Sequence, residues 1–158
     1  MKKFFAMMLT VCLLGICCAA SADTEEPTFD SMPLAVMEGD DPTLSEESFQ
    51  GVWVLKATFA GRDYVNQETL FDVYGYDFVP YTIADGKITK EVEDREQEFR
   101  TIEMPYTFEA GQLWATDEKG RDVVVEKLED GNIVMSVFYP AEDGTVTCLS
   151  LFMVHPEE

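Results

Sequence analysis

The chain has 158 residues, 31 of them acidic, 11 basic and one histidine, for a formal net charge of −20. That length suits one folded domain. So acidic a chain repels nucleic acid and anionic lipid, and it has no basic patch to track phosphates, which excludes a nucleic-acid partner.

Residues 1–22 read as a signal peptide. Lys2 and Lys3 form a basic n-region, Phe4 to Cys18 an apolar stretch, and Ala20-Ser21-Ala22 a small-x-small cleavage site ahead of Asp23. The apolar stretch falls short of the roughly 20 residues a spanning helix needs. The mature chain is therefore expected to have no membrane span and to be exported: secreted, periplasmic or in the cell envelope. A lipidated cysteine normally follows Gly, Ala or Ser. Cys17 follows Ile16 and Cys18 follows Cys17, so lipoprotein anchoring is disfavoured. Cleavage leaves Cys148 alone, which rules out an intramolecular disulfide and leaves the core to hold the fold. Cys148 lies in an apolar run and is expected to be buried.

Residues 23–48 read as an acidic flexible linker. They hold no lysine or arginine, and they contain Pro27, Pro33 and Pro42. Such a stretch buries too little apolar surface to offset its ordering entropy. Its one apolar patch, Met32 to Met37, could dock on the domain that follows.

Residues 49–158 are expected to form that domain. Gly51 to Phe59 alternates as a half-buried strand, with Trp53, Leu55, Ala57 and Phe59 on one face. Val65 to Tyr74 is the one helical segment, capped by Asn66 and stopped by Gly75, with an apolar stripe of Val65, Leu70, Val73 and Tyr74. A segment of this kind suits one open end of a barrel. Phe78 to Ala84 is a strand, with Pro80 marking an edge or bulge. Asp85-Gly86 turns it tightly into Ile88 to Glu93, whose inward residues are Ile88 and Val92. Asp94 to Glu98 is a polar connection. Phe99 to Phe108 places Ile102, Met104, Tyr106 and Phe108 on one face. Glycine-containing turns then link Gln112–Thr116, Arg121–Leu128, Asn132–Tyr139 and Thr145–Val154. These runs total eight strands, the number at which a closed barrel just encloses a small ligand. The expected fold is all-β: an antiparallel up-and-down meander of about eight strands, forming a small closed or nearly closed barrel with one short helix. A monomer is expected.

Gly51-Val52-Trp53 on the first strand, the short helical segment after it and the seven hairpin-linked strands beyond resemble the lipocalin-like (calycin-type) families of exported bacterial small β-barrels. The resemblance covers residues 49 to 155. It implies an antiparallel barrel that often binds small apolar molecules, and it implies no chemistry. In that family the tryptophan closes the barrel base under a basic residue from the last part of the chain. No lysine or arginine follows Lys127 here, so that partner is not identified.

The expected function is that of an exported, non-enzymatic protein binding a small apolar ligand inside the barrel. Trp53, Leu55, Phe59, Tyr106, Phe108 and Met135 are the expected lining. The aromatic set serves equally well as core filling, and sequence cannot measure a cavity. Every arginine sits in a turn or at a strand end, which argues against an internal carboxylate clamp. The alternative is a filled barrel that acts as a protein-interaction or inhibitor module through its acidic surface, with a protein partner. No metal site or cofactor is expected. The acidic clusters lack the spacing of a calcium loop. His155, the only histidine, stands beside Pro156 at what reads as a frayed end, which argues against zinc or a Ser-His-Asp engine.

Overall fold

Alternating apolar and polar side chains organise the described residues into nine strands: β1 (Gly51–Ala60), β2 (Asp63–Tyr64), β3 (Tyr81–Ala84), β4 (Lys87–Glu93), β5 (Phe99–Glu109), β6 (Gln112–Thr116), β7 (Asp122–Lys127), β8 (Ile133–Pro140) and β9 (Val146–Val154). The computed structural model describes residues 26–32, 35–76, 78–93, 99–141 and 143–156. Residues 1–22, read as a signal peptide, and the polar connection at 94–98 lie outside the described residues. Every pairing is antiparallel, and β3 to β9 pair in chain order. The first residues of β1 pair with β3, and Val54 to Ala60 pair with β9, which closes the barrel. The expected all-β meander, closed barrel and single short helix are all present, and β2 is one extra strand hairpinned onto the end of β1. In the tight β3–β4 turn, Asp85 and Gly86 have φ of 52° and 75°. Both central residues are left-handed, and that twist suits a two-residue hairpin.

Two expectations about the strands need correction. β3 begins at Tyr81 rather than Phe78, because Pro80 has no N–H to give to a ladder. In β1, Leu55 pairs with Met153 and Ala57 with Phe152, so Lys56 is bulged out. One extra residue reverses the facing of everything beyond it. Trp53 and Leu55 join the barrel core, while Ala57 and Phe59 lie on the outer face with Phe152. The four residues therefore do not share a face.

The core inside the barrel includes Trp53, Tyr81, Ile83, Ile88, Leu113 and Leu151. Met104, Met135 and Met153 are each 1% exposed within it. One end is plugged by Phe49, which ends a 3-10 turn (Glu46–Phe49). The other end is covered by α1 (Gln67–Thr69), which runs directly into a π-helical turn (Leu70–Tyr74). Asn66 caps α1 by accepting the Thr69 N–H at 2.9 Å. Leu70 and Val65 anchor the segment in the core. Val73 departs from the expected stripe and is 68% exposed, since the wider π turn does not keep the spacing of an α-helix.

The stretch read as a linker lies partly on the barrel. Phe29 packs edge-on against Phe59 and Phe152, with ring centres 5.4 and 6.5 Å apart. Asp30 pairs with Arg62, and Met32 packs against the same outer cluster. Val36 forms a bridge with Leu128, flanked by Met37 N–H to Lys127 O at 2.9 Å and Glu129 N–H to Ala35 O at 2.8 Å. The apolar patch from Met32 to Met37 is thus in contact with the domain through its described residues.

Candidate functional site

The barrel has two chemically different ends. At the first, Trp53 is fully buried and its Nε1 donates to the Phe49 carbonyl at 2.8 Å. The Lys127 ammonium lies 4.5 Å from the Trp53 ring, close enough for a cation–π attraction. Lys127 is thus the basic residue that packs on Trp53. Burial holds its pKa below the usual lysine value, against an opposing pull from Asp130. The His155 ring stacks on Trp53 at 3.7 Å, and its Nδ1 is 3.1 Å from the Val52 carbonyl. His155 is therefore exposed but held against the barrel end by these two contacts rather than frayed. Gly51 has φ of 128°, and a Cβ there would stand 3.2 Å from His155 Cε1. The Gly-x-Trp pattern thus has a local reason, because only glycine suits both the backbone and the imidazole. Nearby, the Tyr106 hydroxyl accepts from Gln50 Nε2 at 2.9 Å and donates to Glu46 Oε1 at 2.8 Å. That hydroxyl is engaged in holding the plug, and this end is sealed.

The second end, the mouth under α1, gathers polar groups. Tyr76, just past the π-helical turn, is 2% exposed, and its hydroxyl donates to Asp117 Oδ2 at 2.9 Å. Arg121, at the foot of β7, donates from Nε to the same oxygen at 2.6 Å. The other oxygen of Asp117 accepts the backbone N–H of Lys119 and of Arg121, both at 2.9 Å. The Arg121 guanidinium sits 5.2 Å from the Tyr76 ring and 4.3 Å from the Tyr139 ring. Lys90 points inward from β4 and is 6% exposed, with its ammonium 4.7 Å from the Tyr76 ring and 5.5 Å from that of Tyr81. The Tyr74 carbonyl, at the end of the π-helical turn, accepts from Tyr139 Oη at 3.1 Å and Arg121 Nη1 at 3.3 Å.

Electrostatics ties this cluster together. Burial alone would raise the Asp117 carboxyl, but hydrogen bonds from Arg121 and Tyr76 outweigh it and bring it below the ordinary value of 3.8. Burial would lower Arg121, and its bond to Asp117 raises it instead. Burial pushes the phenols of Tyr76 and Tyr139 upward, aided by Asp117. The mouth encloses about 40 Å³, whereas a drug-sized ligand occupies a pocket of roughly 300 Å³ or more.

Of the six residues expected to line a ligand cavity, Trp53, Leu55, Tyr106 and Met135 share the core cluster, and Phe59 and Phe108 do not. Trp53, Leu55 and Met135 belong to the barrel core. Phe59 is on the outer face, beyond the Lys56 bulge and under Phe29. Phe108 is 37% exposed and touches Phe49 at the plugged end. Tyr106 packs on the core edge and bonds the plug. Cys148, expected to be buried, is free and half-buried, with Sγ 3.7 Å from Ser150 Oγ. The residues that sequence reasoning missed are Tyr76, Lys90, Asp117 and Arg121. Lys90 was legible, since it stands on the inward phase between Ile88 and Val92. Arg121 was read correctly as a strand-end residue, but the inward reach of its side chain was not visible. Among the described residues, no group of His, Cys, Asp and Glu side chains could hold a metal ion, and no helix is long and apolar enough to cross a membrane.

No family model, curated protein or solved structure matches this chain.

Proposed function

We propose that this is an exported, non-enzymatic, lipocalin-like protein that binds a small ligand through the α1-covered mouth of its barrel. The observation that carries this reading is the convergence of Lys90, Arg121 and Tyr76 on one small pocket at that mouth. In a chain of net charge −20, that is an unusual place for two cations, each shielded from solvent. The segment over the mouth adds support. Its end is held by hydrogen bonds from Arg121 and Tyr139 to one carbonyl, and it displays Phe71 and Val73 at 59% and 68% exposure. An apolar ligand meets those side chains first.

The interior is packed, so a ligand with an apolar body enters only when α1 shifts and the core yields. Met104, Met135 and Met153 supply unbranched, adaptable side chains for such repacking. Native mass spectrometry of the chain as its host exports it tests the reading. A reproducible small adduct that leaves on denaturation is expected. A bare protein mass, with no uptake from a lipid and metabolite extract, overturns it.

The packed core also favours a second reading, a filled barrel acting through its surface on a basic protein. Trp114, 46% exposed on the outer face of β6, would supply an aromatic contact. Binding of that kind weakens steeply with salt. Salt-insensitive or absent binding to a panel of basic proteins removes it.

A further inference from the structure

We infer that the outer face of β5, β6 and β7 carries a separate binding site, with Trp114 as its platform and a neutral saccharide as its ligand. The inference does not depend on the mouth, because Trp114 faces away from the core. Tyr106, Ala115, Val123 and Val125 pack on the interior, so the residues alternating with them point outward. Strand register sets those outward residues in a grid. Thr107 stands opposite Trp114, and Trp114 opposite Val124. In the next row Thr116 stands opposite Asp122. Pro105 lies one step past the Tyr106–Ala115 pair, beside Thr116. With strands about 4.8 Å apart and rows about 7 Å apart, the grid covers about 10 by 7 Å, the scale of one or two pyranose rings.

The chain's two tryptophans stand in opposite situations. Trp53 is fully buried, with its N–H bonded to the Phe49 carbonyl and its ring against Lys127 and His155. Trp114 is 46% exposed, and among the described residues its indole has no hydrogen bond and no ring partner. Its cross-strand neighbours, Thr107 and Val124, are too short to cover a ring of that size. An open groove of about 430 Å³ runs beside the indole, lined also by Pro105, Thr107, Thr116 and Asp122. That volume is in the range of small-molecule sites, which begins at roughly 300 Å³, and the mouth is about 40 Å³.

The lining selects the class of ligand. Asp122 is the one charged residue in it, and in a chain of net charge −20 it turns anions away. A single exposed carboxylate holds a cation weakly, so a basic partner gains little in this groove. The other walls combine hydroxyls with apolar surface. A pyranose whose hydroxyls are equatorial has the same two halves. Its axial C–H bonds make a flat apolar face that lies on the indole. The hydroxyls around its edge reach Thr107, Thr116 and Asp122, the last through a charge-assisted hydrogen bond. An alkyl chain would cover the indole and use none of these polar groups.

Proton–nitrogen spectra of the isotope-labelled exported chain follow two indole N–H resonances, one for each tryptophan. Cellotetraose is expected to move the Trp114 resonance saturably and to leave that of Trp53 in place, with a dissociation constant on the order of 1 mM. Added salt should not change the titration, because the ligand is uncharged. Trp114→Ala, read through the backbone amides of Thr107 and Val124, is expected to weaken binding at least about tenfold with the melting temperature unchanged. Asp122→Asn is expected to weaken it about threefold. The titration of the parent chain stands by itself should either variant fold poorly. No saturable shift, an equal shift with glycerol, or binding that survives Trp114→Ala overturns the site. A salt-sensitive shift with tetralysine and none with cellotetraose overturns the saccharide and assigns the face to a basic partner.

Discussion

Arg121 reaches back four residues to Asp117, with Nε 2.6 Å and Nη2 2.5 Å from the same carboxylate oxygen. The two side chains are 12% and 6% exposed. Each also holds the segment above it, Arg121 through the Tyr74 carbonyl and Asp117 through the Tyr76 hydroxyl. This ion pair is the latch between the β6–β7 turn and the cover of the barrel. Breaking a shielded pair from one side leaves the other charge stranded. Arg121→Met is therefore expected to cost about 3 kcal/mol in urea unfolding. Asp117→Asn combined with Arg121→Met should cost less than the two single changes added together. Additive costs would show that the pair is not a unit.

The same latch sets an acid limit. The Asp117 pKa is lowered in the folded chain, so its contribution is present above the ordinary value of 3.8. That contribution is lost as pH falls through the folded value, because the unfolded chain then binds the extra proton more readily. Stability should decline with acid below about pH 4, and Asp117→Asn should flatten that decline. Parallel acid profiles for the parent and the variant would assign the loss to other carboxylates.

Phe29 secures the N-terminal segment to the outer face. Edge-on ring pairs are worth about 0.5–1.5 kcal/mol each beyond area burial. Phe29→Ala should therefore lower stability by about 2 kcal/mol. Removing residues up to Leu44 should uncover Phe59 and Phe152 and raise binding of a hydrophobic dye. An unchanged dye signal would mean that the outer cluster is closed by the barrel alone.

Gly51→Ala meets both a φ of 128° and the His155 ring at 3.2 Å. A destabilisation of about 1–3 kcal/mol is expected. His155→Ala should relieve only the steric part, which a double-mutant cycle measures as coupling. Zero coupling would place the whole cost in the backbone.

Trp53→Ala removes the largest side chain of the core together with its bond to Phe49. The expected cost is about 3–5 kcal/mol. Thermal melting with circular dichroism checks it, and a loss near zero would mean that the core collapses around the gap.

Local rules suffice for much of this chain. Period-two alternation, Asn66 before a short helical run and glycine-containing turns specify eight strands and one cover, because each depends on residues close in sequence. The two-residue β2 carries no such signal. Lys90 was also readable, as a charge on the inward phase of β4. The Lys56 bulge was not. A single bulged residue is visible only against its partner strand, and Phe59 changes face with it.

The amino-acid sequence by itself determined the class of fold, the approximate strand boundaries, the acidic charge and the glycine that precedes Trp53. Tertiary structure alone decided that Lys127 lies over Trp53, that Phe29 covers Phe59, and that Tyr76, Lys90, Asp117 and Arg121 meet at one mouth. The physical reason is range. Alternation and turns arise between neighbours in the chain, whereas a charge cluster or a filled interior arises from register and closure, which bring residues tens of positions apart to within a few ångströms.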